Sequence, residues 1–174
     1  MINLLFTTSH LKSSQFGCYV CFLCYAEEDS GFYRLRKSEV REMNKKINNG
    51  VLDQFEEFLN LPGILYDDKY VYFNSHEPMP KARSIDVDEK NLLYVYNKYS
   101  LAGLKIYCQL IWIDKLQRKT SQLSPFYYKS VNTLLNIPNA SYIMQQMRRD
   151  KIIEYGAAED EGHLKKLIRV NSIF

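Results

Sequence analysis

A short segment near the carboxyl-terminal end of the chain places amide, hydroxyl and guanidinium side chains on one face of a predicted helix. Such groups form paired hydrogen bonds with purine edges in the major groove, while nearby lysines and arginines neutralise phosphates. With residues turning about 100° each, these side chains project away from the core. The predicted DNA contacts are Asn139, Ser141, Tyr142, Gln145, Gln146, Arg148 and Arg149, with Lys165 and Lys166 beyond the helix as phosphate ligands.

The cysteines and histidines do not predict a metal site. Cys18, Cys21 and Cys24 share the two-residue spacing of some iron–sulfur ligands, but apolar residues fill the gaps and favour a buried helix with small thiols in the core. His10, His76 and His163 stand at no fixed spacing from a cysteine or from one another. We expect reduced thiols, no metal and no cofactor.

Catalytic patterns are also missing from the sequence. Glu27, Glu28 and Asp29 are adjacent carboxylates at a predicted helix end, and carboxylates in that position are usually exposed to solvent. No Ser-His-Asp arrangement or glycine-rich phosphate loop accompanies them. We therefore expect a protein that is not an enzyme.

Acidic and tyrosine-rich surfaces of the first half predict a different kind of contact. A predicted helix there has carboxylates on its outer face, which phosphates would repel. Tyrosine is enriched at interaction hot spots, although half-buried strands also suit it. The candidates for a protein-binding or self-association surface are Asp53, Glu56, Glu57, Tyr70 and Tyr72.

Charge divides unevenly along the 174 residues, whose formal net charge is +3. Residues 1–90 carry 11 basic against 14 acidic side chains, a net charge of −3, and the remainder carries 12 against 6, a net charge of +6. A basic half suits a polyanion partner or simply a solvated surface. The start of the chain has no basic region or small-residue cleavage site typical of a signal peptide, and no apolar run is long enough to span a membrane. We expect a cytoplasmic chain.

The elements that position these residues repeat with an offset of about 88 residues. In the first half, periodicity predicts a buried helix over Ser14–Glu27 ending at Gly31, a second helix capped by Ser38, and a third with Leu52, Phe55 and either Phe58 or Leu59 inward. A hairpin of 64–66 and 70–73 follows. Residues 76–90 have no hydrophobic period and predict a linker between units 1–75 and 91–174.

The second half repeats this order. A central buried helix is predicted over 101–116, after tyrosines 94, 96 and 99 that would suit half-buried strands. Ser124-Pro125 starts the next helix, and Asn139 can cap a third. That third helix buries Ala140, Ile143, Met144 and Met147, and strands 152–155 and 164–170 flank a loop over 156–162.

The segment 130–137, SVNTLLNI, followed by NASYIM at 139–144, resembles the winged helix-turn-helix superfamily of DNA-binding domains in its order of helix, turn and helix before a hairpin. The first half resembles the same superfamily, and its run QFGCYVCFLCYA at 15–26 is similar to the amino-terminal domains of phage replisome organisers and plasmid replication initiators. The resemblance implies a mostly α fold with small β-hairpins, in the α+β class, built as two tandem winged-helix units, and binding to duplex DNA at an origin or operator.

Two functions of different classes remain open. The first is a sequence-specific DNA-binding protein of a phage, plasmid or other mobile element, acting in replication initiation or transcription control through its second unit. The alternative is an interaction protein, such as an inhibitor of the anti-CRISPR kind, that uses a winged-helix scaffold to bind another protein. The fold alone does not separate these two functions.

Overall fold

The computed structural model describes residues 2–5, 11–47, 53–60, 64–74, 84–119, 137, 139–160 and 163–174. Helices and strands are mixed, which confirms the α+β class. The helices are α1 Ser13–Tyr25, α2 Lys37–Ile47, α3 Asp53–Leu59, α4 Glu89–Lys119 and α5 Ala140–Arg149. The strands are β1 Ile2–Leu5, β2 Glu27–Asp29, β3 Phe32–Arg36, β4 Ile64–Tyr66, β5 Tyr70–Asn74, β6 Ser84–Val87, β7 Ile153–Asp160 and β8 His163–Val170.

The elements divide into two compact units. One contains α1 to β5, and the other contains β6 to β8 with most of β1. The division departs from the predicted units 1–75 and 91–174, because β1 pairs with β6. The predicted linker 76–90 is therefore corrected over its second part: Ile85 and Val87 are buried, and Glu89 begins α4. Their alternation with Asp86 and Asp88 is the period-two pattern of a half-buried strand.

The first unit packs three helices on one side of an antiparallel sheet with strand order β2-β3-β5-β4. The buried helix α1 contacts α3 where the Phe22 and Phe58 rings lie 6.1 Å apart, and it contacts β5 where the Tyr19 and Phe73 rings meet edge-on at 5.6 Å. The predicted hairpin of β4 and β5 and the predicted buried side of α3, with Phe55, are confirmed.

Two predictions around Gly31 are wrong. Gly31 does not end α1; with Ser30 it forms the turn of the β2–β3 hairpin, and both residues have positive φ (53° and 86°), as two-residue hairpin turns require. Ser38 lies inside α2, which begins at Lys37. Glu39 instead caps that helix, since its Oε2 accepts the backbone N–H of Arg36 at 3.2 Å.

The second unit is centred on α4, with Leu104, Ile106 and Leu110 buried around its circumference as predicted. This helix is longer than expected: tyrosines 94, 96 and 99, predicted on strands, lie in its amino-terminal part, and a kink at Ser100 (φ 65°, ψ −172°) separates that part from residues 101–119. The predicted helix beginning at Ser124-Pro125 lies outside the described residues.

Helix α5 and the β7–β8 hairpin complete the second unit. The strands pair from Ile153–Val170 to Asp160–His163, so residues 156–160 of the predicted loop are strand instead. The sequence did not predict strand for Gly156 to Asp160 because apolar and polar residues do not alternate there; these residues are strand because their backbone pairs with β8. In the part of the chain that the structure describes, no helix combines the length and apolarity needed to cross a bilayer.

Candidate nucleic-acid interface

Helix α5 has one fully buried side and one exposed side. Ala140, Met144 and Met147 are inaccessible to solvent, as predicted, whereas Ile143 is only half-buried. The residues predicted to contact DNA lie on the other side: Tyr142 (63% exposed), Gln145, Arg148 and Arg149 are exposed, and Ser141 and Gln146 are half-buried. The burial of the methionines fixes the rotation of the helix and therefore the direction of the polar side chains.

Two arginines end the exposed side of α5. Neither Arg148 nor Arg149 forms a salt bridge with a carboxylate among the described residues. The Arg148 guanidinium carbon lies 5.1 Å from the ring centroid of Tyr155 on β7, a cation–π contact that orients its fork. Both charges also lie at the carboxyl-terminal end of the helix, where its dipole favours cations.

Asn139 occupies the N-cap position of α5, but its side chain does not cap the helix. Its backbone is left-handed (φ 63°, ψ 19°), and its carbonyl accepts the N–H groups of Tyr142 at 3.0 Å and Ile143 at 3.1 Å. The predicted side-chain cap is therefore corrected. The exposed amide lies next to the positive end of the helix dipole, where an anion is favoured.

A polar cluster attaches the other end of α5 to α4. Asp150 follows the helix, and its Oδ2 accepts a hydrogen bond from the Tyr99 hydroxyl and lies 3.1 Å from Lys98 Nζ. The hydrogen bond from Tyr99, followed by that from Lys98, lowers the pKa of the Asp150 carboxyl. Lys98 also donates to the Tyr94 hydroxyl at 3.1 Å, and hydrogen bonds to Tyr94 and Asp150 raise its pKa. Burial first, and then the bond to Asp150, raises the pKa of Tyr99.

Gly103 allows the close approach within this cluster. A Cβ added at Gly103 would overlap the Cβ of Tyr99 one turn earlier, beside the kink at Ser100. Because only glycine leaves that space open, the sequence permits the kinked path that brings Tyr99 to Asp150.

The β7–β8 hairpin is held to both helices of the unit. The Ile152 N–H donates to the Met147 carbonyl at 2.9 Å, directly after α5. At the same open end of the hairpin, where Val170 pairs with Ile153, the buried Asp114 of α4 accepts the Val170 N–H at 3.1 Å. Lys165 and Lys166 pair with Ala158 and Ala157 in the strand register, and their side chains lie outside the described set.

The residues predicted for protein contact are divided between two places in the first unit. Glu57 is engaged inside the unit: its Oε2 accepts Gln15 Nε2 at 3.1 Å and lies 3.5 Å from Lys12 Nζ, both at the start of α1. Glu56 is exposed, and the side chain of Asp53 lies outside the described set. Tyr70 and Tyr72 lie on β5 instead.

The tyrosines of β5 belong to a network of rings and charges on the sheet. Their ring centroids are 6.0 Å apart, and the Arg34 guanidinium lies 5.3 Å from the Tyr70 ring. The Tyr72 hydroxyl donates to Asp67 Oδ2 at 2.6 Å, and this bond lowers the pKa of Asp67 and raises that of Tyr72.

Sequence reasoning missed the groups that hold these surfaces in place. Asp150 contacts a tyrosine 51 positions away, and Arg34 joins the sheet through a hairpin that the periodicity did not show. Two sequence features could have predicted these groups: the acidic residue immediately after α5 for the contact of Asp150, and the Ser-Gly pair at 30–31 for the β2–β3 hairpin.

Within the described residues, no group of three or more His, Cys, Asp or Glu side chains could hold a metal ion. Cys18 and Cys108 are buried and Cys24 is half-buried. The Cys18 thiol donates to Asn44 Oδ1 at 2.8 Å inside the first unit, so it packs in the core as its position in an apolar helix predicts. The side chain of Cys21 lies outside the described set.

Comparison with known proteins gives no relative: no family model, curated protein or solved structure matches this chain.

Proposed function

We propose that this protein binds duplex DNA through the exposed side of α5, inserted into the major groove, and acts in replication initiation or transcription control of a phage, plasmid or similar mobile element. One observation carries the proposal: a helix with its apolar side fully buried presents Tyr142, Gln145, Arg148 and Arg149 together to solvent. These are the side-chain types that read base edges and neutralise phosphates.

The order of elements in the first unit supports a tandem winged-helix architecture. Helix α1, strand β3, helices α2 and α3, and the β4–β5 hairpin follow one another, and β5 pairs with β3 on one side and β4 on the other. In the second unit, α4, α5 and the β7–β8 hairpin keep the corresponding places. Under this proposal α5 is the recognition helix and β7–β8 is the wing.

Charge placement favours the second unit as the DNA-binding one. Its half of the sequence has a net charge of +6, and the salt bridge of Lys98 offsets the charge of Asp150 at the end of α5. In the first unit the corresponding helix α3 presents Glu56 to the surface, where it would repel phosphates, while the charge of Glu57 is offset by Lys12.

Fluorescence anisotropy with a mixed pool of labelled duplexes tests the proposal. We expect the affinity to fall steeply between about 50 and 200 mM salt, because released counterions give a slope of about −0.9 per phosphate contact. Replacing a side chain that pairs with a base costs about 1–3 kcal/mol, so Gln145→Ala weakens binding to a selected site about 5- to 150-fold. Arg148→Ala with Arg149→Ala weakens binding further and flattens the salt dependence.

Arg41→Ala is the matched control, since Arg41 is an exposed arginine on helix α2 of the other unit. It removes one arginine charge, against two in the double variant, and should leave duplex affinity unchanged. Circular dichroism establishes that each variant is folded. The proposal fails if no duplex binds at low salt, or if the folded double arginine variant binds as tightly as the parent protein. In that case the alternative, a protein-interaction function, takes its place.

A further inference from the structure

The sheet of the first unit has a second surface that the duplex site does not use. Residues on alternate positions of neighbouring strands share one side of a sheet, and Val71, Phe73 and Ile64 are buried on the helix side. The opposite side, which we call the sheet face, carries Phe32, Arg34, Arg36, Leu65, Tyr70 and Tyr72, with Glu27 and Asp29 of β2 on the same side.

Three rings form a continuous row on the sheet face. The Phe32 and Tyr72 centroids are 6.4 Å apart, and the Tyr72 and Tyr70 centroids are 6.0 Å apart. Leu65, directly opposite Tyr72 on the edge strand β4, is 57% exposed. Such a row on an open antiparallel sheet offers successive flat apolar contacts of the kind on which unpaired bases stack.

The Tyr72 ring is held in place before any ligand binds. Asp67 accepts the Tyr72 hydroxyl at 2.6 Å and the backbone N–H groups of Lys69 and Tyr70 at 2.7 Å each, which ties the β4–β5 turn to the Tyr72 ring and to the backbone of Tyr70. A prearranged ring loses little conformational entropy when a base stacks on it.

Two cations lie beside the Tyr70 ring of this row: Arg34 is 5.3 Å and Lys69 is 5.2 Å from its centroid. Lys37 lies 4.6 Å from the ring of Tyr66, which pairs with Val71 and therefore belongs to the other side of the sheet. The Lys37 N–H donates to the Lys69 carbonyl at 2.9 Å, so the two lysines are neighbours.

The nearby carboxylates are largely engaged within the unit. Asp29 pairs with Arg34 at 2.7 Å, and Asp67 is occupied by the turn, whereas Arg36, Lys37 and Lys69 have no salt bridge among the described residues. Glu27 lies across from Arg34 on the far edge strand β2, away from the two lysines. Positive charge is therefore available at the end of the ring row near the β4–β5 turn, where Asp68 and Glu39 are exposed carboxylates and the Glu39 Oε2 accepts the Arg36 N–H at 3.2 Å.

We infer that the sheet face binds single-stranded nucleic acid, with bases stacked on Phe32, Tyr72 and Tyr70 and the backbone phosphates near Arg36 and Lys69. This site is separate from α5 and uses none of its residues. It takes unpaired bases because a flat row of rings cannot enter a duplex, whose bases are already stacked on each other.

The test is anisotropy of the full chain with a labelled oligothymidine, which has no duplex form. Tyr70→Phe keeps the ring and removes only the hydroxyl, whereas Tyr70→Leu keeps an apolar side chain without the ring. We expect Tyr70→Phe to bind like the parent protein and Tyr70→Leu to bind about 5- to 150-fold more weakly, the effect of removing one stacked base. Arg36→Gln with Lys69→Gln should reduce the magnitude of the salt slope by about 0.7 for each phosphate that these two residues neutralise.

The Arg148→Ala, Arg149→Ala variant separates this site from the duplex site. It should retain oligothymidine binding, so loss of duplex binding in that variant does not affect the inference. The inference is overturned if the parent protein does not bind oligothymidine at low salt, if Tyr70→Leu binds it as well as Tyr70→Phe, or if only the α5 variant loses it. Light scattering identifies one competing outcome: a dimer that Tyr70→Leu dissociates, without oligothymidine binding, would make the sheet face a contact between two copies.

Discussion

Two buried tyrosines at corresponding places in the two units should respond oppositely to the same substitution. Tyr19 on α1 is 1% exposed and Tyr107 on α4 is 2% exposed. The Tyr19 hydroxyl has no hydrogen-bond partner among the described residues, whereas Tyr107 has a side-chain hydrogen bond with Asn91. Replacing each by phenylalanine removes one oxygen and preserves the ring packing, which for Tyr19 includes the edge-on contact with Phe73.

The size of each effect follows from the state of the hydroxyl. A buried polar group without a partner costs about 1–3 kcal/mol of desolvation, and Tyr19→Phe avoids this cost. The small void left by the missing oxygen cancels part of the gain, so the free energy of unfolding should rise by about 1 kcal/mol. A satisfied hydrogen bond contributes about 0.5–1.5 kcal/mol, so Tyr107→Phe should lower it by about 1 kcal/mol.

Urea unfolding measures both effects. Trp112 is the single tryptophan and lies in the second unit, so its fluorescence follows Tyr107→Phe, while far-ultraviolet circular dichroism follows both units. A loss of stability in Tyr19→Phe equal to that in Tyr107→Phe would refute the reasoning, because it would show that the Tyr19 hydroxyl contributes a favourable interaction.

Alkaline pH provides a second measurement on the same residue. Burial raises the pKa of Tyr19 above the value near 10 that it has in the unfolded chain. Because the unfolded chain therefore releases this proton first, the Tyr19 hydroxyl causes no pH dependence below about pH 10, and the free energy of unfolding falls as the pH rises beyond that value. The Tyr19→Phe variant should lose less stability than the parent protein over the same alkaline range.

Two further predictions concern the support of α5. Ser100 has a backbone conformation that is essentially confined to glycine, so Ser100→Gly should raise the free energy of unfolding by about 1 kcal/mol in the Trp112 transition, and a decrease would contradict the strain. The pKa of Asp150 is lowered chiefly by Tyr99, so the stabilisation is present above the unfolded pKa near 4 and disappears as the pH falls below it. Asp150→Asn should therefore be less stable than the parent at pH 7 and show a smaller further loss on acidification; equal acid profiles in urea titrations would exclude this role for Asp150.

Periodicity predicted the elements whose contacts are close in sequence. The apolar pattern located α1, α3 and α5, and the aromatic runs around Asp67 located the β4–β5 hairpin. In each of these elements the buried residues recur at the period of a helix or a strand, so the sequence pattern is sufficient to predict the element.

The missed elements depend on pairing between segments rather than on their own patterns. Strand β2 is Glu-Glu-Asp and has no apolar side; it exists because β3 pairs with it and β3 in turn pairs with β5, about 40 residues later. Strand β6 pairs with β1, which lies about 80 residues earlier in the sequence. The kink at Ser100 likewise lies beside the close approach of Gly103 to Tyr99, a contact that leaves no hydrophobic period in the sequence.

The candidate site divides in the same way. Packing determines that Gln145, Arg148 and Arg149 project outward, since Met144 and Met147 between them must be buried. Packing does not determine which polar residues stand there, because any solvated side chain would satisfy the helix. The helix dipole already favours the two arginines at the carboxyl-terminal end, so the amide of Gln145 beside them is the part of α5 that helix stability leaves unexplained. The DNA-binding proposal rests on the combination of that amide with the arginines. Tyr99 and Asp150, which attach the end of α5 to α4, could not be predicted from the sequence, because a hydrogen bond between distant segments leaves no periodic pattern.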